Sequence, residues 1–156
     1  MLDLACGSGR HGRFFLKKSC RVFFLDRDIQ GVHDLLSETN AEVIEYDLEN
    51  GNPWPFPDRQ FDAIVVTNYL YRPLMPHIIE ALAPGGTLLY KTFAVGNERY
   101  GRPTNPDFLL CKNELREVFG EALDVIDCRQ QLELHPARIT QAIYAIKPIA
   151  GKQSEV

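Results

Sequence analysis

The chain has 156 residues, 45% hydrophobic and 24% charged, with a net charge of −4. That length suits one domain with a proper core, and the acidic balance argues against a dedicated nucleic-acid binder, which shows a basic stripe. No run approaches the roughly 18 apolar residues of a membrane span, and Asp3, with no basic region before it, argues against a signal peptide, so the cytoplasm is the expected compartment.

In chain order, "MLDL" (1–4) reads as the end of a strand and "RHGRFFLKKS" (10–19) as a short helix. "RVFFL" (21–25) is a strand. "IQGVHDLLSE" (29–38) sets Ile29, Val32, Leu35 and Leu36 at helical spacing. "AEVIEY" (41–46) is a strand, and the prolines of "NGNPWPFPDRQ" (50–60) forbid regular structure. "FDAIVVTN" (61–68) is a continuous apolar strand of the buried, parallel kind. "MPHIIEALA" (75–83) is a helix stopped by Pro84, Gly85 and Gly86, and "TLLYKTFA" (87–94) is a strand.

A long polar segment follows over 95–108. "KNELREVFG" (112–120) is a helix, with Asn113 as N-cap and Gly120 as its stop. "ALDVIDCRQ" (122–130) and "ITQAIYAIKP" (139–148) form an antiparallel hairpin through "HPAR" (135–138), and 149–156 is a flexible tail. Strand-helix alternation predicts an α/β, doubly wound, mostly parallel seven-stranded sheet with helices on both faces, in one domain over 1–148. Cys6, Cys20, Cys111 and Cys128 form no C-x-x-C and no zinc-spaced cluster, so reduced thiols and no metal are expected.

Gly7, Gly9 and Gly12 have G-x-G-x-x-G spacing at the end of the first strand. Such a loop turns tightly and lets a ligand approach the backbone. Asp26 ends the second strand, where an acid binds ribose hydroxyls. Both features suit any adenosine ligand. Asp3 is more selective: a carboxylate there repels a pyrophosphate but receives an ammonium group, directly or through water. Asp47, after Tyr46, can accept from an exocyclic adenine amine. No second domain remains for a hydride acceptor, so an NAD-dependent oxidoreductase is disfavoured. An amino acid, a ribose and an adenine on one ligand describe S-adenosylmethionine.

"LDLACGSGR", "FLDRD", "YDLE", "FDAIVVTNYL" and "LAPGGTLLYKTF", in that order, resemble the class I S-adenosylmethionine-dependent methyltransferases over nearly the whole chain. Within that class the chain is similar to small bacterial methyltransferases of the tellurite-resistance or thiopurine-like kind. The resemblance implies a Rossmann-like fold, with S-adenosylmethionine as cofactor and S-adenosylhomocysteine as product. It implies that Asp3, Ala5, Cys6, Gly7, Ser8 and Gly9 cradle the methionine part. Asp26, with Arg27 beside it, takes the ribose, and Asp47 and Leu48 frame the adenine. Thr67, Asn68 and Tyr69 lie beside the sulfonium, with Asn68 and Tyr69 as the catalytic candidates. Ala5 departs from a usual glycine. Asn68-Tyr69-Leu70-Tyr71 departs from the N-P-P-Y-like tetrad of nucleic-acid amino-methyltransferases. The first strand begins at Met1, so the helices that usually precede it are expected to be absent.

Methyl transfer needs alignment and exclusion of water more than a fixed triad. Candidate acceptor-side residues are Tyr71, Arg72, Lys91, Thr92, Phe93, Asn97, Arg99, Tyr100, Arg102 and Asn105, whose arginines suit a small anionic substrate. The plainer readings make Asp26 and Asp47 local caps, Arg99 and Arg102 solvated charges, and the histidines surface residues, with His11 partly exposed beside the glycine loop. Trp54 and Phe56 plug a core gap, and the pairs Phe14–Phe15 and Phe23–Phe24 are core. A small-molecule acceptor is favoured over RNA or protein, and a homodimer stays open. The competing reading is a non-catalytic module that binds S-adenosylmethionine or S-adenosylhomocysteine and is completed by a partner chain.

Overall fold

The structure, a computed structural model, describes residues 1–150; positions 151–156 of the expected tail lie outside the described residues. Its strands are β1 (Leu2–Leu4), β2 (Val22–Asp26), β3 (Ala41–Glu45), β4 (Phe61–Thr67), β5 (Leu82–Phe93), β6 (Asp124–Glu133) and β7 (Arg138–Ile146). They form one seven-stranded sheet in the order β3-β2-β1-β4-β5-β7-β6. The strands from β3 to β5 run parallel, while β7 is antiparallel to both β5 and β6. The predicted doubly wound sheet with its C-terminal hairpin is therefore the observed one.

Side-chain alternation divides the core in two. Phe23 and Leu25 of β2 join Leu2, Leu4, Ile64, Val66, Leu88 and Tyr90 in the larger cluster, under helices α2 (Met75–Ala81) and α3 (Glu114–Phe119). Val22 and Phe24 face the other way and pack with Val32 and Leu35, beside Phe15 and Leu16 of helix α1 (Arg10–Leu16). Phe24 is fully buried, a contribution of about 1.5–3 kcal/mol for a side chain of that size. The Phe23–Phe24 pair is core as expected, but Phe14 is 56% exposed and only Phe15 packs inward.

Among the described residues, helices on this second face pack mainly beside β1, β2 and β3. On β5 and β7, Leu89 and Tyr144 alternate with buried Leu88, Tyr90, Ile143 and Ala145, so they point to the second face. The two are direct cross-strand partners and stand 39% and 38% exposed. The expectation of helices on both faces holds for half of the sheet.

Other differences have local causes. Residues 29–38 form a 3₁₀ helix over Gln30–Ser37 rather than an α-helix, and Leu36 is exposed. A three-residue period aligns Val32 with Leu35 and leaves Leu36 off that line. Helix α2 ends at Ala81, and β5 begins at Leu82, opposite Phe61. Pro84, Gly85 and Gly86 thus belong to the strand: the Gly85 N–H donates to the Lys147 carbonyl and the Lys147 N–H to that of Gly86. The Lys147 ammonium donates to the carbonyls of Ile79 (2.9 Å) and Leu82 (2.7 Å) at the helix end, where a cation is favoured. Asn113 occupies the N-cap position of α3 with φ 62° but its side chain caps nothing. Gln141 of β7 does so instead, its Oε1 accepting from the Leu115 N–H at 2.7 Å. Among the described residues no helix is long and apolar enough to cross a membrane.

Candidate active site

The parallel strands carry their carboxyl ends to one rim, where a cleft of about 460 Å³ opens, a size within the range of small-ligand sites. Along the strand order its lining runs from Tyr46, Asp47, Leu48 and Glu49 after β3, through Asp26 and Arg27 at β2, to Ala5 after β1. It continues with Asn68, Tyr69 and Leu70 after β4, then Thr92 and Phe93 of β5, and closes on Pro103 and Phe108.

The glycine loop is shaped by its neighbours. Ala5, Gly7 and Gly9 have φ of 53°, 54° and 69°, a region that favours glycine and strains alanine by about 1–2 kcal/mol. The Gly7 N–H donates to Asp26 Oδ2 at 2.8 Å, which ties the loop to the end of β2. Nothing lies within 4 Å of the place a Gly7 side chain would take, so the loop backbone faces open space there. Asp26 Oδ1 accepts from the Asp28 N–H at 3.1 Å, so this carboxylate holds two loops and keeps lone pairs for a ligand hydroxyl. Asp47 Oδ1 accepts from the Glu49 N–H at 2.9 Å. Asp47 thus caps a short turn as the plainer reading has it, whereas Asp26 does not cap the helix over Gln30–Ser37, which has no side-chain cap; both line the cleft.

Asp3 sits behind the loop. It is 2% exposed, and its Oδ2 accepts from the Gly12 N–H at 2.8 Å. Burial raises its pKa to about 6; the Gly12 bond opposes this and the charge of Asp26 adds to it. Asp3, Cys6, Gly7, Ser8 and Gly9 shape the loop without lining the cleft, and of this loop group only Ala5 reaches it. Burial, then the charges of Asp3 and Asp26, push the Cys6 thiol up to about 12, so Cys6 is no nucleophile. Thr67 Oγ1 lies 3.5 Å from His11 Nδ1, beside rather than in the cleft. His11 is lowered from its usual pKa by burial and by the charges of Arg10 and Lys91.

Asn68 and Tyr69 both line the cleft. Asn68 holds φ 54°, a backbone state that asparagine tolerates better than most residues. Burial first, then Glu49 and Asp47, raise the Tyr69 pKa, so its hydroxyl stays protonated.

The acceptor-side candidates divide differently. Thr92 and Phe93 line the cleft, whereas Tyr71, Arg72, Lys91, Arg99, Tyr100 and Arg102 do not. The Arg72 guanidinium grips both oxygens of Glu114, at 2.6 and 3.0 Å, and the carbonyls of Asp107 and Leu109, each at 3.0 Å. Lys91 pairs with Glu133, which Arg138 and Thr140 also bind. Burial raises the Glu133 carboxyl, but these three partners outweigh it and hold the pKa down to about 2. Asn97 is buried at 1% and joins the polar segment to the sheet, accepting from the Ile139 N–H at 3.0 Å and donating to the Pro103 carbonyl at 3.3 Å. Asn105 caps the short turn Pro106–Phe108. Arg72 and Asn97 hold this segment, while Arg99 and Arg102 stand exposed and do not line the cleft. Phe56 is buried at 8% in the core, as expected, while Trp54 stacks on the His77 ring.

Glu49, Leu70, Pro103 and Phe108 escaped the sequence reading. For Phe108 the only signal is an aromatic residue inside an otherwise polar stretch.

The family described as "Methyltransferase domain" matches residues 1–86. Similar solved structures include the N-methyltransferase NodS from Bradyrhizobium japonicum, 18% identical, with 94% of this chain and 84% of that one covered and a TM-score of 0.70. TehB from Haemophilus influenzae is 21% identical, with 94% and 57% covered and a TM-score of 0.73. The 1,6-didemethyltoxoflavin-N1-methyltransferase from Burkholderia thailandensis, solved with 1,6-didemethyltoxoflavin and S-adenosylhomocysteine, is 16% identical, with 94% and 70% covered and a TM-score of 0.70. At such identities the likeness is one of fold. No curated protein matches the sequence.

Proposed function

The chain belongs to the methyltransferase-domain family, and from that premise we propose that its residues 1–148 form one S-adenosylmethionine-dependent methyltransferase domain acting on a small-molecule acceptor. One observation carries the reading: Asp26 ties the open backbone of Gly7 to a cleft that crosses the carboxyl ends of β3, β2, β1, β4 and β5. The lining fits the cofactor, since Asp26, Asp47 and Glu49 outnumber Arg27. That sign suits a cationic ligand and opposes the pyrophosphate of a dinucleotide.

When bound, S-adenosylmethionine supplies a methyl carbon activated by a positive sulfur. In our reading Asp26 accepts from the ribose hydroxyls, and Asp47 and Leu48 flank the adenine. The Ala5–Gly9 backbone holds the amino-acid end, and Asp3 attracts its ammonium from behind the loop by charge alone. Arg27 walls the ribose side, and Thr67 supports Asn68 through the end of β4. Asn68 and Tyr69 orient the acceptor; the protonated Tyr69 hydroxyl donates or accepts one hydrogen bond and removes no proton early. Proximity is the main contribution. A compact cleft of about 460 Å³ supports a small-molecule acceptor. Four unpaired cysteines support a cytoplasmic setting.

Calorimetric titration with S-adenosylmethionine and S-adenosylhomocysteine tests this. We expect binding by the wild type and at least about tenfold weaker binding by Asp26→Ala, the loss of about 1.4 kcal/mol or more of charge-assisted bonding. A wild type that binds neither compound refutes the cofactor reading.

A further inference from the structure

The cleft changes character along its length. At the β2 and β3 end its lining is charged: Asp26, Arg27, Asp47 and Glu49. At the β5 end it consists of Thr92, Phe93, Pro103 and Phe108, with no charged side chain, and Tyr69 and Leu70 stand between the two ends, the Tyr69 hydroxyl within the influence of Glu49 and Asp47. Phe108 is 48% exposed, although a ring of that size is ordinarily among the more buried residues.

Its exposure is not that of a loose loop. Arg72 holds the carbonyls on both sides of Phe108, those of Asp107 and Leu109, while gripping Glu114 at the start of α3. Asn97, itself buried, fixes Pro103 and the start of β7 together. The backbone that carries the ring is fastened before and after it, and the ring is left bare toward the cleft.

The cations nearest this end have partners. Arg72 is engaged by Glu114, and Lys91 by Glu133. Lys91 shares its face of β5 with Phe93 but does not line the cleft, and Glu133 holds its ammonium. Arg99 and Arg102 do not line the cleft. An anion at the β5 end would lose its water without gaining a cation, a costly exchange. A flat ring would instead cover Phe93 and Phe108 and meet a tyrosine hydroxyl at its edge.

Resting on the methyltransferase reading, we propose that the β5 end of the cleft takes a flat ring compound without fixed negative charge as the acceptor, with Phe93 and Phe108 against its faces. This reverses the expectation of an anionic substrate drawn from the arginines. Tyr69 stays protonated, so it serves such an acceptor as a hydrogen-bond partner at a ring nitrogen or oxygen. The acceptor atom's lone pair would form the bond to the methyl carbon as the carbon–sulfur bond breaks, S-adenosylhomocysteine leaving as the neutral thioether and any proton on the acceptor atom passing to water.

Three bicyclic probes of like shape test this on the full chain, with and without saturating S-adenosylhomocysteine: 2-naphthol (neutral), N-methylquinolinium (cationic) and 2-naphthoate (anionic). Binding is read by ligand-observed magnetisation transfer and titration. We expect 2-naphthol or N-methylquinolinium to bind at least about tenfold more tightly than 2-naphthoate, as an unpaired buried charge demands. Phe108→Ala should weaken the preferred probe by about three- to tenfold, the loss of one aromatic contact, and leave S-adenosylhomocysteine binding unchanged. Equal or tighter binding of 2-naphthoate overturns the proposal, and so does a preferred probe indifferent to Phe108→Ala. Absence of binding by all three probes also overturns it. Failure of S-adenosylhomocysteine to bind falls on the cofactor reading instead, because the probes are also titrated without it.

Discussion

Replacing Asp3 with asparagine should stabilise the protein at neutral pH and do nothing of the kind in acid. Asp3 is 2% exposed and its pKa is raised from an ordinary 3.8 to about 6, mainly by burial. A shift of about two units corresponds to about 3 kcal/mol. Between those two pKa values the folded chain holds a proton that the unfolded chain has released. Stability from this group therefore falls as pH rises from about 4 to about 6, and the cost persists above that window. In Asp3→Asn the amide oxygen still accepts from the Gly12 N–H, but the charge is gone. Its NH₂ group adds a penalty of about 1–3 kcal/mol if it finds no acceptor, and that penalty is the same at every pH. The useful quantity is the stability difference between variant and wild type at pH 7.5, minus the same difference at pH 4. Carboxylates such as Glu133, whose depressed pKa works in the opposite sense, appear in both proteins and cancel. Urea unfolding at the two pH values measures it. The expected value is about 2–2.5 kcal/mol in favour of the variant, below the full shift because pH 4 already lies above the unfolded carboxyl's pKa. Parallel pH profiles for the two proteins would refute the burial argument for Asp3.

Three further outcomes follow from contacts in the site and its supports. Gly12→Ala puts a methyl 2.2 Å from Phe24 Cε1 and 2.9 Å from Asp3 Oδ2, and should cost about 1–3 kcal/mol or more in urea unfolding; a wild-type midpoint would contradict this packing. Arg72→Lys loses the forked grip on Glu114 and at least one loop carbonyl. Because Arg72 is 38% exposed, the expected loss is limited to about 1–2 kcal/mol, with faster amide exchange over 105–110 as the local readout. Asn97→Ala strands the Ile139 N–H and the Pro103 carbonyl and should cost about 1–3 kcal/mol by thermal or urea unfolding.

The sheet was legible because its signals are local. Phe23 and Phe24 sit on opposite faces as alternation demands, and the five motifs stand at the strand ends that the sheet brings together. Asp26, Asp47, Asn68 and Tyr69 were legible for the same reason, since each immediately ends or follows a strand. Its place in a motif makes Asp3 look like a ligand contact, but spacing cannot reveal that Gly12, nine residues on in the first turn of α1, captures the carboxylate. Arg72 looked like a substrate arginine, and only the folded chain brings it to Glu114, 42 residues later. Phe108 went unnoticed because its position depends on that same distant grip. The apolar positions of 29–38 do not separate a three-residue period from a 3.6-residue one over so short a span.

The order of the strands bears on how the chain is made. β7 is synthesised after β6, yet it is inserted between β6 and β5. During translation β5 therefore shows an unpaired edge over Thr87–Phe93 until Thr140–Ile146 have emerged from the ribosome to cover it. The rim of the candidate cleft depends on that late arrival, since Gln141 caps α3 and the Ile139 N–H donates to Asn97, which holds Pro103 on the cleft's far wall. A chain that stalls before residue 139 carries the glycine loop and the strand-end aspartates but lacks the support of the cleft's far wall.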